Sequence, residues 1–169
     1  MTWDHFAPLV SKYRTKGLLI DTNVLLLLLV GSVEPRLIRT SKITNNQGFT
    51  EADFELLQIF VGNFKKVVTT PHILAEVSNH AGKMPANQQT VFCRLASLIE
   101  RIEEHAEAAT SLVQSDAFAR FGLTDTAIGA LASKGFLVLT VDFPLAGYLE
   151  KRGVDAINFN HLRQLNWEQ

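Results

Sequence analysis

The sequence predicts an α/β protein, a parallel sheet flanked by helices, and two observations predict it. Short, largely apolar runs at 17–20, 66–69, 136–141 and 156–159 read as buried strands. Stretches with helical spacing or helix-start chemistry separate them. Strands that alternate with helices in this way build parallel sheets, because each crossover returns the chain over one face.

Size and composition bound the rest. The chain has 169 residues, enough for one domain over 1–169 with its own core. Hydrophobic residues make up 47% and charged residues 20%, which excludes a disordered chain. With 16 Lys and Arg against 17 Asp and Glu the formal charge is -1, so no global positive field attracts a polyanion and any anionic substrate must be held locally. The single cysteine, Cys93, excludes an intrachain disulfide and a cysteine zinc cage, and it suits a reducing compartment, so the expected location is cytoplasmic. The greasy stretch 18–30 is divided by Asp21-Thr22-Asn23, whereas a membrane span needs about 20 apolar residues. Lys12, Arg14 and Lys16 precede it as in a signal peptide, yet a carboxylate interrupts the run and no small-residue cleavage site follows. No membrane partner is expected.

The elements follow in order. After the strand at 17–20, Asp21-Thr22-Asn23 is turn or cap chemistry, and a Leu-rich helix runs to about Val30. Residues 31–50 carry Gly, Pro, Ser and Asn and read as an extended irregular loop. Thr50 with Asp53 three residues on resembles a capping box, and Phe49 and Phe54 stand at hydrophobic-staple positions, opening a helix to about Phe60. The strand 66–69 leads to Pro71 at a first helical position. Gly82-Lys83-Met84-Pro85 breaks the chain, after which Val91, Leu95, Leu98, Ile102 and Ala106 recur at helical spacing to about Thr110. Glu100, Glu103, Glu104 and Glu107 form the solvated face of that helix. Thr124 is the expected N-cap of a helix that Asp125 begins. The strand 136–141 ends at Asp142-Phe143-Pro144, a short helix covers 145–152, and 156–159 is the last strand. The terminal Leu165-Asn166-Trp167 can pack on the core or on a partner.

Four acids carry the chemistry. Asp21 and Asp142 lie just after strands, Asp125 begins a helix, and Glu76 sits in the second turn of the helix after 66–69. In open α/β sheets ligands bind outside the carboxyl ends of the strands, where these side chains would converge. Two carboxylates about 4 Å apart repel by roughly 4 kcal/mol at an effective dielectric near 20. Such a cluster needs protons or cations, and an all-oxygen set suits Mg²⁺ or Mn²⁺. These ions polarise a phosphoryl oxygen and activate water, so metal-assisted phosphodiester hydrolysis is the reaction class indicated. Each acid also has a structural alternative as a helix cap, a turn residue or a surface group, and only the set carries the inference. The five histidines show no metal-binding spacing, although His80 lies four residues after Glu76 on the same helical side. No phosphate-binding glycine loop follows any strand.

The stretches LLIDTNVLL, TTPHILAEVSN, GLTDTAIGALA and FLVLTVDFPL, in that order, resemble the motifs of PIN-domain nucleases. The resemblance implies a Rossmann-like parallel sheet and a ribonuclease that uses Mg²⁺ or Mn²⁺. By position, Asp21, Glu76, Asp125 and Asp142 match the acidic residues that hold the metal and carry catalysis. Asn23 and Thr140 match the polar residues that would orient those carboxylates by hydrogen bonds. Compact VapC-like toxins of the family have a shorter link where this chain carries 31–50, with Arg36, Arg39 and Lys42. That insertion is expected either to hold an RNA backbone or a protein partner, or simply to cover the core. The family further implies an RNA substrate, a homodimer and, for toxin members, an antitoxin partner. The alternative is a non-catalytic module that uses the same fold to bind RNA or protein. A phosphatase of the haloacid-dehalogenase type is disfavoured, because it wants a second Asp where this chain has Asn23.

Overall fold

The computed structural model describes residues 6–84 and 86–167. Along the chain run α1 (Ala7–Tyr13), β1 (Leu18–Ile20), α2 (Thr22–Val33), α3 (Leu37–Thr40), α4 (Lys42–Asn45), α5 (Glu51–Val61), β2 (Val67–Thr69), α6 (Pro71–Ala81), α7 (Gln88–Ile99), β3 (Glu103–Glu104), α8 (Ala109–Leu112), α9 (Phe118–Ala132), β4 (Leu137–Thr140), α10 (Phe143–Lys151), β5 (Ala156–Asn158) and α11 (Phe159–Trp167). The five strands form one sheet in the order β3-β2-β1-β4-β5, and every pairing is parallel. The architecture is the α/β class expected, a Rossmann-like parallel sheet flanked by helices. Among the described residues no helix is long and apolar enough to cross a membrane.

β1 is the central strand. Leu18 pairs with Val67 on one side and Leu137 on the other, and Leu18, Leu19 and Ile20 are fully buried. A strand covered on both faces reads as an unbroken apolar run, which is why it needs no polar alternation. From β1 the chain winds outward to β2 and β3, then returns to place β4 on the opposite side of β1. That reversal puts the topological switch point between β1 and β4, the place outside the strands' carboxyl ends where open α/β sheets bind their ligands.

α2 explains the Leu-rich stretch. Leu25, Leu26, Leu27, Leu29 and Val30 are all buried, so the helix is apolar around nearly its whole circumference and lies inside the molecule. It touches α3, α5, α6 and α7. Gly31 allows one of these approaches: a Cβ there would stand 2.4 Å from the Phe54 ring of α5. α5 itself starts as its sequence indicates. Thr50 Oγ1 accepts from the Asp53 N–H at 3.2 Å, and Asp53 Oδ2 accepts from the Thr50 N–H at 2.8 Å. Phe49 and Phe54 are both buried in the core.

Three expectations need correction. Residues 31–50 are not irregular: α2 continues to Val33, and the single-turn helices α3 and α4 follow, the latter capped by Ser41. The helix expected to reach Thr110 ends at Ile99, and Glu103–Glu104 instead forms edge strand β3 beside β2. The spacing of Ile102 and Ala106 continued the apolar stripe, but the His105 N–H donates to the Thr69 carbonyl and extends a ladder. Glu103 and Glu104 remain exposed, with Glu103 paired to Lys66 and His105. Last, Phe159 begins α11 rather than ending β5. Leu165 of that helix is buried, while the Asn166 and Trp167 side chains lie outside the described set.

A buried ion pair ties these parts together. Arg163 Nε of α11 lies 3.0 Å from Asp53 Oδ1, with both side chains almost wholly buried. Arg163 also donates to Asn160 Oδ1 at 2.9 Å and to the carbonyls of Gln47 and Gly48. Asp53 therefore caps its own helix with one oxygen and anchors the end of the 31–50 segment through Arg163 with the other. Removing one partner of such a pair strands a buried charge.

Candidate functional site

Asp21 directly follows β1 and is both the N-cap of α2 and a residue at the switch point. Its N–H donates to the Leu139 carbonyl at 3.0 Å, which extends the β1–β4 ladder and fixes the backbone. Its Oδ1 accepts from the Thr22 N–H at 2.6 Å, and its Oδ2 accepts from Thr140 Oγ1 at 2.6 Å. The carboxyl group is buried at 5% exposure. Burial raises its pKa, the hydrogen bonds from Thr140 and Thr22 oppose that rise, and the charges of Asp142 and Glu76 add to it.

Thr140 joins two acids. It ends β4, fully buried, and its hydroxyl donates to Asp21 while accepting from the Asp142 N–H at 2.9 Å. A hydroxyl has one proton and two lone pairs, so one group meets both demands. Asp142 caps α10 by accepting from the Leu145 N–H at 2.8 Å through Oδ1. Asp21 and Asp142 thus sit at the N-termini of two helices, where the helix dipoles favour negative charge.

Glu76 reaches the same place from α6. Its Oε2 accepts from Thr22 Oγ1 at 2.9 Å and its Oε1 from Thr124 Oγ1 at 2.5 Å. Those two bonds connect α2, α6 and α9. Asp125, beside Thr124, is partly buried, and its carboxylate accepts no hydrogen bond from the described residues. Burial pushes its pKa to about 7, with further increments from Asp21, Asp142 and Glu76. The four acids therefore lie near enough to feel one another's charge, although they come from four separate stretches of the chain.

The placement of Asp125 depends on Gly122. That residue has φ +75° and ψ −170°, a conformation close to the region reserved for glycine, and it interrupts α9. The second segment of α9 starts there, with Thr126 Oγ1 donating to the Gly122 carbonyl at 2.6 Å. Thr124 is consequently not the N-cap expected from sequence. It lies within the first turn, and its hydroxyl serves Glu76 instead.

Asn23 also departs from expectation. It is partly buried and makes no hydrogen bond to a carboxylate of the described residues; Thr22 does that, through its N–H and its hydroxyl. Thr22 and Thr124 were the orienting residues that sequence reasoning missed. Their signal was adjacency, since each directly neighbours an acid of the set. Asn23 instead lines a cavity of about 530 Å³ beside the acids, with Lys42, Asn46, Gln47, His80, Lys83 and Asn87 among its other walls. Arg36 and Arg39 are exposed and do not line it.

The donor set, four carboxylates and no soft ligand, is of the kind that hard divalent cations take. Each carboxylate oxygen has two acceptor positions, so the hydrogen bonds at Asp21 and Glu76 leave positions free. Among the described residues, however, no group of three or more His, Cys, Asp or Glu is arranged so that it could hold a metal ion. The acids are coupled through space but each of three is tied to a hydroxyl or a backbone N–H, and Asp125 stands apart from those bonds.

Fold and site together define a Rossmann-like α/β protein with an acidic centre at its switch point. No protein-family model matches the chain, and no curated protein matches it.

Proposed function

We propose that this protein is an Mg²⁺- or Mn²⁺-dependent endoribonuclease whose reaction centre is formed by Asp21, Glu76, Asp125 and Asp142. One observation carries the reading: acids from four separate stretches lie near one another at the switch point between β1 and β4, the hydroxyls of Thr22, Thr124 and Thr140 hold the carboxylates of Glu76 and Asp21 in set orientations, and the Leu145 N–H holds that of Asp142. A structural cluster of caps would have no reason to concentrate mutually repelling charges at one place. The PIN-like order of the four motifs supports the same assignment.

When bound, a divalent cation supplies charge to a phosphoryl oxygen and activates the attacking water. The chain's own groups do the rest. Asp21 is fixed on both oxygens by Thr22 and Thr140, each oxygen keeping an acceptor position. Glu76, held by two threonines, keeps a second carboxylate near enough to act on Asp21 by its charge. Asp125 and Asp142 complete the negative surface, and Thr140 keeps Asp21 and Asp142 in register. A fixed arrangement costs no reorganisation during the reaction.

A second reading is a binding module that uses the fold without catalysis, and it needs no assembled group of metal-binding side chains. Calorimetric titration with Mn²⁺ separates the two. The nuclease reading expects saturable binding that Asp21→Asn weakens by at least tenfold, as loss of a direct ligand should. Heat that is absent, or identical in the variant, would remove it in favour of the module.

A further inference from the structure

The cavity beside Asn23 has no role in the chemistry just described. None of the four acids lines it, yet it begins within one helical turn of two of them: Asn23 follows Asp21 by two residues on α2, and His80 follows Glu76 by four on α6. One wall is built by α3, α4 and the turn after them, through Leu37, Thr40, Ser41, Lys42, Ile43, Asn46 and Gln47. The other is the end of α6 and the turn that follows, through His80, Lys83, Met84, Ala86 and Asn87.

Its chemistry is the opposite of its neighbour's. Among the described residues the lining holds two lysines and a histidine and not one carboxylate, in a chain whose net charge is -1. Four side-chain amides, from Asn23, Asn46, Gln47 and Asn87, add paired donors and acceptors. Leu37, Ile43 and Met84 supply apolar surface. Its volume of about 530 Å³ lies within the ~300–1,000 Å³ usual for ligand sites. The wall is also braced: Thr44 Oγ1 donates to the Ile38 carbonyl at 2.7 Å, and buried Arg163 holds the Gln47 and Gly48 carbonyls.

We infer that this cavity is a nucleotide subsite, which takes one or two nucleotides of single-stranded RNA next to the strand's scissile bond. Lys42 and Lys83 contact backbone phosphates, and the amides meet the hydrogen-bonding edges of unpaired bases, which makes this wall the place where the substrate's sequence is read. The inference rests on the nuclease reading and gives the 31–50 segment its purpose: α4 contributes Lys42, whereas Arg36 and Arg39 face elsewhere.

The test measures binding without cleavage. Anisotropy of short fluorescein-labelled single-stranded oligoribonucleotides is followed across a salt series in chelator, on the full chain. Changing both exposed lysines, Lys42→Ala with Lys83→Ala, is expected to weaken binding about tenfold and to flatten the slope of log K against log salt by about 1.4, the value for two phosphates on a single strand. Arg36→Ala with Arg39→Ala is expected to leave the slope unchanged. Photocrosslinking of 4-thiouridine RNA to the unaltered protein gives a readout free of any folding defect, and its adducts are expected on peptides spanning 40–47 and 80–87. No RNA binding, an unchanged slope in the lysine pair, or adducts confined to other surfaces would overturn the subsite. Loss of Mn²⁺ binding or cleavage with the lysine-dependent RNA binding intact would instead sink only the nuclease reading.

Discussion

Thr140 shows how much can depend on one hydroxyl. It has no charge and no exposure, yet it donates to Asp21 and accepts from the Asp142 backbone, so two acids take their positions from it. Thr140→Val keeps the shape and strands both partners. It should lower Mn²⁺ affinity or cleavage rate by about 10–100-fold, the range for groups that orient metal ligands, with the secondary structure unchanged by circular dichroism. A variant with wild-type affinity and rate would show that Asp21 needs no such hold. Asp125 differs in that burial, unopposed by hydrogen bonds, pushes its pKa up from 3.8 to about 7. Between those values the native state holds a proton that the unfolded chain has lost, so this group's contribution to stability falls as pH rises through that window. In metal-free protein Asp125→Asn should therefore be neutral near pH 4 and stabilising near pH 8. Allowing for solvent screening at a partly solvated group, the gain is on the order of 1–2 kcal/mol, a few degrees in Tm. Thermal unfolding in chelator at the two pH values measures it, and an equal effect at both would refute the assignment.

At the scale of elements, a helix break matters as much as a helix. Gly122 interrupts α9 in a conformation that side chains resist, and the segment beyond it carries Thr124 and Asp125 into the site. Open space surrounds the position a Cβ would take, so Gly122→Ala should cost about 1–3 kcal/mol through backbone strain alone. Urea denaturation measures that cost, and it should be joined by a fall in Mn²⁺ affinity as Asp125 moves. Much of this level was legible beforehand, because caps and periodicity are local signals. The box at Thr50 and Asp53 and the Pro71 start of α6 lie where the sequence puts them. Edge strand β3 was not legible: two exposed glutamates pair through their backbone and leave no apolar pattern. The one-turn helices α3 and α4 are too short for a period to develop. The site divides the same way. Its acids could be found from their place after strands, whereas the bonds from Thr22 and Thr124 to Glu76 depend on how α2, α6 and α9 cross, and the Asp53–Arg163 pair on how α11 returns to α5.

The molecule as a whole has almost no net charge, and that conceals a division. Four acids gather at the carboxyl ends of β1 and β4, while Lys42, His80 and Lys83 line the cavity next to them. A polyanion is repelled by the first surface and attracted by the second, so it can bind at the cavity without metal but needs a cation at the acids to be cleaved there. The all-parallel sheet makes the juxtaposition possible, since every strand delivers its carboxyl end to one edge. Arg163 contributes from a distance by fastening the cavity wall to the core. The most direct test is cleavage of single-stranded RNA by the purified chain with Mn²⁺, with chelator, and with Asp21→Asn as the matched control. Metal-dependent products ending in 5′-phosphate are expected, with none in chelator and none from the variant, which should melt as a folded protein. Cleavage that survives chelation, or that Asp21→Asn retains at the wild-type rate, would contradict the nuclease reading.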